Sequence, residues 1–230
     1  MADYPVLTRE QARQVDAAAI QRLGVPGLLL MENAARGVIE ELTRRLGNKG
    51  RVLILCGPGN NGGDGLAIAR LLASAGVDAT VYLLRAGKDL TDDAHQNLGF
   101  LMASGINVLE GQMVNSWGQV FADLTDNDWI LDCLLGTGVR GGVRPPFLAI
   151  INAINESSAR VLAVDVPSGL DCDTGTMDGV CINADATVTF VGMKRGFLQP
   201  SATNFTGDVT VAHIGIPLAW VRSWLSDADS

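Results

Sequence analysis

The sequence predicts an α/β protein: a mostly parallel, doubly wound sheet between two layers of helices, with a helical preface before the first strand. Three observations carry this. Short apolar runs alternate with amphipathic segments from residue 51 to residue 165. A glycine-rich turn joins the first of those runs to the next helix, where such sheets bind ligands. Two helical segments precede the first apolar run.

In chain order, Thr8-Arg-Glu-Gln11 is a capping-box start for a helix reaching about Arg22, and Pro26 restarts a second helix through Leu46. Arg51-Val-Leu-Ile-Leu-Cys56 is an apolar run of buried parallel-strand type, followed by an amphipathic helix over 64–75. The alternation continues as strand 79–84, helix 92–104, strand 106–109, helix 114–123, strand 129–135, helix 147–156 and strand 161–165. Right-handed crossovers between parallel strands follow from it, giving a three-layer, Rossmann-like sheet. The last third adds strands at Ala186–Val191 and Asp208–Ile214 and a closing helix at Leu218–Leu225.

A chain of 230 residues without linker or low-complexity segment reads as one domain over residues 1–230. Twenty-five acids against 17 bases give a net charge of −8, with acids gathered in the tail 226–230. A nucleic-acid surface needs a basic stripe, so that class is disfavoured. Apolar runs are far short of a membrane span, and Met1-Ala-Asp-Tyr-Pro5 lacks a basic and an apolar leader region, so a soluble cytoplasmic protein is expected. Cys56, Cys133, Cys172 and Cys181 form no Cys-x-x-Cys pair and read as small hydrophobes in a reducing compartment.

The stretch Gly57-Pro-Gly-Asn-Asn-Gly-Gly-Asp-Gly65 holds five glycines in nine residues. It reads as a phosphate-cradling loop at a helix N-terminus, with extra polar chemistry from Asn60, Asn61 and Asp64. Gly57-x-Gly59-x-x-Gly62 satisfies the dinucleotide fingerprint, but the second strand ends in Arg85 where that fingerprint expects an acid. No Lys-Ser or Lys-Thr follows, which excludes a Walker loop. The bland reading is a tight turn with Asp64 favouring the helix dipole.

Two further polar segments follow strands: Asp132-Cys-Leu-Leu-Gly-Thr-Gly-Val-Arg-Gly-Gly142 and Asp165-Val-Pro-Ser-Gly-Leu-Asp171. A 3-2-1-4-5 strand order would bring these and the glycine segment to one crevice. Asp132 and Asp165 stand at strand ends, where an unpaired carboxylate would cost several kcal/mol. Each needs partners, either backbone N–H groups of the following turn or a ligand. Oxygen donors of the type Asn61, Asp132 and Ser168 suit potassium or sodium better than zinc.

These segments, with Ala184-Asp-Ala-Thr-Val-Thr-Phe190, Lys194 and Ile214-Gly-Ile-Pro217, resemble the successive motifs of the YjeF N-terminal family, the NAD(P)H-hydrate epimerases. The resemblance spans essentially the whole chain. It implies interconversion of the R and S forms of NADHX and NADPHX, hydrated nicotinamide cofactors that a separate S-specific dehydratase then repairs. It places Asn60, Asn61, Gly62, Gly63 and Asp64, then Gly136, Thr137, Gly138, Val139, Arg140, Gly141 and Gly142, and Asp165 on the hydrate. It places potassium on Asn61, Asp132 and Ser168. A fused dehydratase domain is not expected.

The chemistry asks for an acid that protonates a hydroxyl beside the ring nitrogen, and a base for the returning water. Asp165 is the expected acid and base, with Asp64 in reserve, and Lys194 either adds positive potential or forms an exposed salt bridge. His95 and His213 read as structural. The apolar Gly27-Leu-Leu-Leu-Met31 suits a homodimer contact or the core. The alternatives are a non-catalytic nucleotide-binding or scaffold module of the same fold, and an NAD(P)-dependent oxidoreductase. The second lacks a Tyr-x-x-x-Lys pair or a plausible His base.

Overall fold

The computed structural model describes residues 4–46, 50–85, 89–138 and 141–228. Its elements are β1 (Val6–Leu7), α1 (Arg9–Arg22), α2 (Gly27–Arg45), β2 (Val52–Cys56), α3 (Asn60–Ser74), β3 (Ala79–Leu83), α4 (Asp92–Ala103) and β4 (Val108–Glu110). There follow α5 (Trp117–Phe121), β5 (Trp129–Cys133), α6 (Phe147–Glu156), β6 (Arg160–Val164), β7 (Ala186–Phe190), β8 (Met193–Lys194), α7 (Thr203–Thr206), β9 (Asp208–Ala212) and α8 (Leu218–Ala228).

Seven strands form one sheet in the order β4-β3-β2-β5-β6-β7-β9, every neighbouring pair parallel. The predicted order for the first five strands is therefore present. Alternate side chains on buried parallel strands point to opposite faces, and both faces are covered. On one face Val52, Ile54, Cys56, Leu131 and Leu162 pack with α2, α3 and α4 through Leu42, Ile68, Leu72 and Leu101. On the other, Leu53, Leu55, Ile130 and Ala163 pack with α5 and α6 through Phe121, Ile150, Ile151 and Ile154.

Several boundaries differ from the sequence reading, each for a local reason. The helix expected from residue 64 starts at Asn60, so most of the glycine segment is helix and only Gly57-Pro58-Gly59 is loop. The strand expected at 106–109 lies at Val108–Glu110, because the Ile106 N–H is used on the Leu101 carbonyl at 3.1 Å to finish α4. The helix expected at 114–123 shrinks to Trp117–Phe121, where the Ser116 hydroxyl accepts from Gln119 N–H. The strand expected to reach residue 135 ends at Cys133, since the next two N–H groups turn toward Asp132 and Ser168. Those expected to end at Val191 and Ile214 end at Phe190 and Ala212.

One pairing was not foreseen. β1 lies parallel to β8, with Leu7 opposite Lys194, and the chain passes from β1 through the Thr8 capping box directly into α1. The preface is thereby tied to the carboxyl end of the main sheet, where α1 packs Val15 and Ala19 against Leu30, Ala34 and Val221.

The opposite end is held by Asp128. Its carboxylate accepts from Arg51 N–H at 2.8 Å, the Arg51 guanidinium at 3.0 and 3.2 Å, Thr125 N–H at 2.8 Å and the Thr125 hydroxyl at 3.1 Å. The Arg51 hydrogen bonds hold this carboxyl far below the usual carboxylate range. A depressed folded-state pKa contributes stability above the unfolded value, lost as pH falls toward the folded one. Asp128→Ala is expected to cost about 2–3 kcal/mol at pH 7, with the gap to wild type narrowing as the pH drops below about 4. Urea unfolding at both pH values measures it.

Candidate active site

The carboxyl ends of β2, β5, β6 and β7 open into a cavity of about 550 Å³. That volume lies within the roughly 300–1,000 Å³ usual for small-ligand sites. Its lining includes Gly59, Asn60, Asn61 and Asp64 from α3 and its approach, Leu134 to Gly138 after β5, Asp165 after β6, and Phe190, Val191 and Lys194 after β7. Ala12, Arg13 and Asp16 of α1 form another wall, and Asp89 and Thr91 stand before α4.

Asp132 is fully buried in β5. One carboxylate oxygen accepts from the Ser168 hydroxyl at 2.6 Å and Leu134 N–H at 3.2 Å, the other from Ser168 N–H at 2.7 Å. The Ser168 hydroxyl in turn accepts from Leu135 N–H at 2.9 Å, and the Leu135 carbonyl accepts the Asn61 amide at 2.8 Å. The segments after β2, β5 and β6 are thus stitched into one network containing Asn61, Asp132 and Ser168. Burial pushes the Asp132 carboxyl up to about 6, against the opposing pull of those hydrogen bonds. No lysine or arginine pairs with it among the described residues. Asn61 Oδ1 is buried beside this network without a partner there. An unpartnered amide oxygen, a hydroxyl and an anion without a cation form an oxygen-only donor set that fits an alkali cation.

Asp165 has φ 65°, in the left-handed region where a non-glycine residue is strained. Its N–H donates to the Val188 carbonyl at 2.7 Å, and its carboxylate pairs with Lys194 Nζ at 2.8 Å. Lys194 also donates to the Thr189 hydroxyl at 2.8 Å and the Phe190 carbonyl at 3.2 Å. It is buried, so the exposed salt bridge left open by the sequence is excluded. Val191, also on the lining, has φ 68°, a conformation unusual for a β-branched residue. Two strained residues on one cavity mark a site held in place by its surroundings.

Asp64 lies one turn into α3 and is buried, with no hydrogen-bond partner among the described residues. Desolvation first, then the neighbouring charges of Asp165, Asp16 and Asp93, push its carboxyl well above the usual carboxylate range. The cavity therefore holds one buried carboxyl whose charged form is disfavoured and one paired with an ammonium group.

The glycines serve packing more than ligand approach. A Cβ on Gly62 would collide with the Gly57 carbonyl, one on Gly63 would sit 2.7 Å from Met31 Cε, and one on Gly65 2.7 Å from Cys56 Sγ. These let α3 begin close against the sheet, and Gly62 and Gly63 lie off the cavity lining. Gly59 at the N-cap faces open space. The first N–H groups of α3, lacking intrahelical acceptors, start at the cavity. Gly136 lines both this cavity and a smaller one of about 170 Å³ that also includes Gly141, Asp171 and Asp178. Gly142 packs 3.0 Å, by its would-be Cβ, from the Asp178 carbonyl. Val139 and Arg140 lie outside the described residues.

Sequence reasoning passed over the α1 wall. The available signal was Asp16 at four residues from Ala12 and three from Ala19, an acid bordering the helix stripe that packs inward. His95 and His213 lie off the lining; His213 Nε2 hydrogen-bonds Tyr4 Oη at 2.9 Å. Leu30 and Met31 enter the core, whereas Leu29 is exposed.

A family model for the YjeF-related protein N-terminus matches residues 27–196. This chain belongs to that family. A Pirellula staleyi protein named NAD(P)H-hydrate epimerase is 40% identical to it, spanning 93% of this chain and 94% of its own. The protein of that name from Rhodopirellula baltica is 39% identical, spanning 96% and 88%. A bifunctional NAD(P)H-hydrate repair enzyme Nnr from Methanothermobacter thermautotrophicus is 41% identical, and this chain spans 43% of it. The crystal structure of yeast ynu0, YNL200c, superposes with a TM-score of 0.74 at 25% identity, over 90% of this chain and 87% of that one.

The unpartnered burial of Asp64 has a measurable signature. A carboxyl whose folded-state pKa is raised binds more protons folded than unfolded, so stability falls as pH rises above the unfolded value near 4. Asp64→Asn removes that loss. Its thermal midpoint relative to wild type is expected to rise between pH 4 and pH 8, read by differential scanning calorimetry.

Proposed function

We propose that this chain is an NAD(P)H-hydrate epimerase, interconverting the R and S forms of NADHX and NADPHX. The observation that carries the mechanism is the contrast of two carboxyls on one cavity, Asp64 buried with its charged form disfavoured and Asp165 paired with Lys194. Two carboxyls in environments this different suit an acid and a base. Full-length relatives named for this activity support the substrate.

The hydrate carries a hydroxyl on the carbon beside the ring nitrogen. Asp64 gives that hydroxyl a proton, water leaves, and the nitrogen lone pair stabilises the resulting cation. Water returning to the opposite face loses its proton to Asp165. Positioned groups of this kind contribute about 10²–10⁴-fold each. The N-terminus of α3 and the segment Gly136–Gly138 would hold the remainder of the dinucleotide.

Potassium belongs to the same proposal, held by Asn61, Asp132 and Ser168. When bound it supplies positive charge that neutralises Asp132 and fixes the segments around the cavity. Crystals soaked in thallium or rubidium salt should show an anomalous peak among these oxygens, lost in Asp132→Ala along with tight ligand binding. Its absence from the wild-type crystals would remove the ion from the reading.

A separate S-specific dehydratase would complete the repair, a coupling supported by the bifunctional name of the longer relatives. A cytoplasmic setting suits four buried free cysteines, and exposed Ile20, Leu23 and Leu29 suit a homodimer contact, checked by sedimentation.

The deciding measurement mixes purified R hydrate with an S-specific dehydratase and follows recovery of reduced cofactor above the spontaneous background. Asp165→Asn and Asp64→Asn should each lose about 10²-fold or more in turnover at saturating substrate. Binding of a stable dinucleotide should stay within about tenfold. Near-wild-type turnover in folded Asp165→Asn would transfer the base to another group.

A further inference from the structure

Epimerisation by two groups has a consequence for protons. When the hydrate loses water, one C–O bond breaks and the leaving oxygen gains the Asp64 proton. When water returns, one C–O bond forms and its proton passes to Asp165. The substrate has been inverted with no net change in protons, yet Asp64 is left anionic and Asp165 protonated. The enzyme is then set for the reverse direction. Continued turnover in one direction requires a proton to travel from Asp165 back to Asp64, and both groups are largely enclosed.

A third carboxyl meets this need. Asp16 projects from α1 onto the same cavity and is the most exposed of the three, Asp64 being buried and Asp165 only partly exposed. The groups facing it are Asp165 after β6 and Lys194 on β8, with Asp64 on α3 and Asp89 before α4 on the same cavity. Arg13 lies one turn back on its own helix and lines the same wall. The wall is fixed. Arg9 donates from its guanidinium to Asp171 at 2.8 Å and from its N–H to Asp173 at 2.8 Å, while Thr8 and Gln11 close the capping box. Ala12, Val15 and Ala19 bury the inner stripe on either side of Asp16.

We propose that Asp16 is the proton port of this cavity: a relay residue that carries the proton between Asp165 and Asp64 after each turnover and exchanges it with solvent. This rests on the two-group reading of epimerisation above. Enclosure by the cavity walls, with the neighbouring Asp165 charge, pushes its carboxyl up to about 6. A relay near neutrality both takes and gives a proton readily.

The test is Asp16→Asn in the coupled assay at saturating R hydrate, with buffer concentration as the variable. At low buffer, turnover should fall about 10-fold. It should recover as imidazole or a small carboxylate buffer is raised, while wild type stays indifferent to buffer and KM for the hydrate is unchanged. Asp16→Glu should retain buffer-independent turnover, which also controls for folding. Unchanged turnover in folded Asp16→Asn at low buffer, or a loss that no buffer restores, would overturn the proposal. So would a Glu variant behaving like the Asn variant. Asp64→Asn and Asp165→Asn separate this from failure of the underlying reading. Both should keep their loss of about 10²-fold or more at every buffer concentration, and recovery toward wild-type turnover in either would sink the two-group mechanism itself.

Discussion

The active end of the sheet depends on a buried anion. Asp132 sits in the central strand β5 and takes hydrogen bonds from Leu134 and Ser168, and Ser168 receives Leu135, whose carbonyl holds Asn61. Three segments that are distant in sequence converge on this one carboxylate. Hydrogen bonds to an ionised acceptor are roughly twice as strong as neutral ones, which offsets part of the desolvation of such a hub. The compensation is incomplete, as the upward shift of its pKa records. The residual negative charge and the idle Asn61 oxygen are the features behind the proposed potassium ion.

The second constraint is the preface. A doubly wound sheet alone leaves the crevice open on the side away from its loops. β1 pairs with β8 and α1 follows immediately, so two short residues of strand position a whole helix over the cavity. Arg9 then locks that helix to Asp171 and Asp173 in the segment after β6. The same segment carries Ser168 at its start, so the Asp132 network and the α1 wall share one stretch of chain. Lys194 joins both, its backbone in the β1 pairing and its ammonium on Asp165.

The sheet order and the meeting of three polar segments were legible because alternation, apolar runs and strand-end polarity are local signals that parallel topology turns into one crevice. Asp132 and Ser168 hydrogen-bond directly, and Asn61 joins them through the Leu135 carbonyl. The glycines were harder to read, since a missing side chain suits a ligand and a close helix equally. Only the structure shows Gly62 against a carbonyl and Gly65 against two cysteines. Asp16 and the β1–β8 pairing were hidden for another reason. Two-residue strands carry no periodicity, and an acid on a short alanine-rich helix resembles an ordinary solvent-facing charge until its neighbours are known.

The placement of Asp64 shows what the architecture gives up for chemistry. An aspartate near the N-terminus of a helix is normally stabilised by the dipole as an anion. Here the first turn is packed so closely, through Gly62, Gly63 and Gly65, that Asp64 is carried below the surface. Desolvation and the charges of Asp165 and Asp16 outweigh the dipole. The glycines that first suggest a phosphate loop thus have a second effect. By drawing α3 against the sheet, they bury the Asp64 carboxyl on the cavity that also holds the carboxylate paired with Lys194.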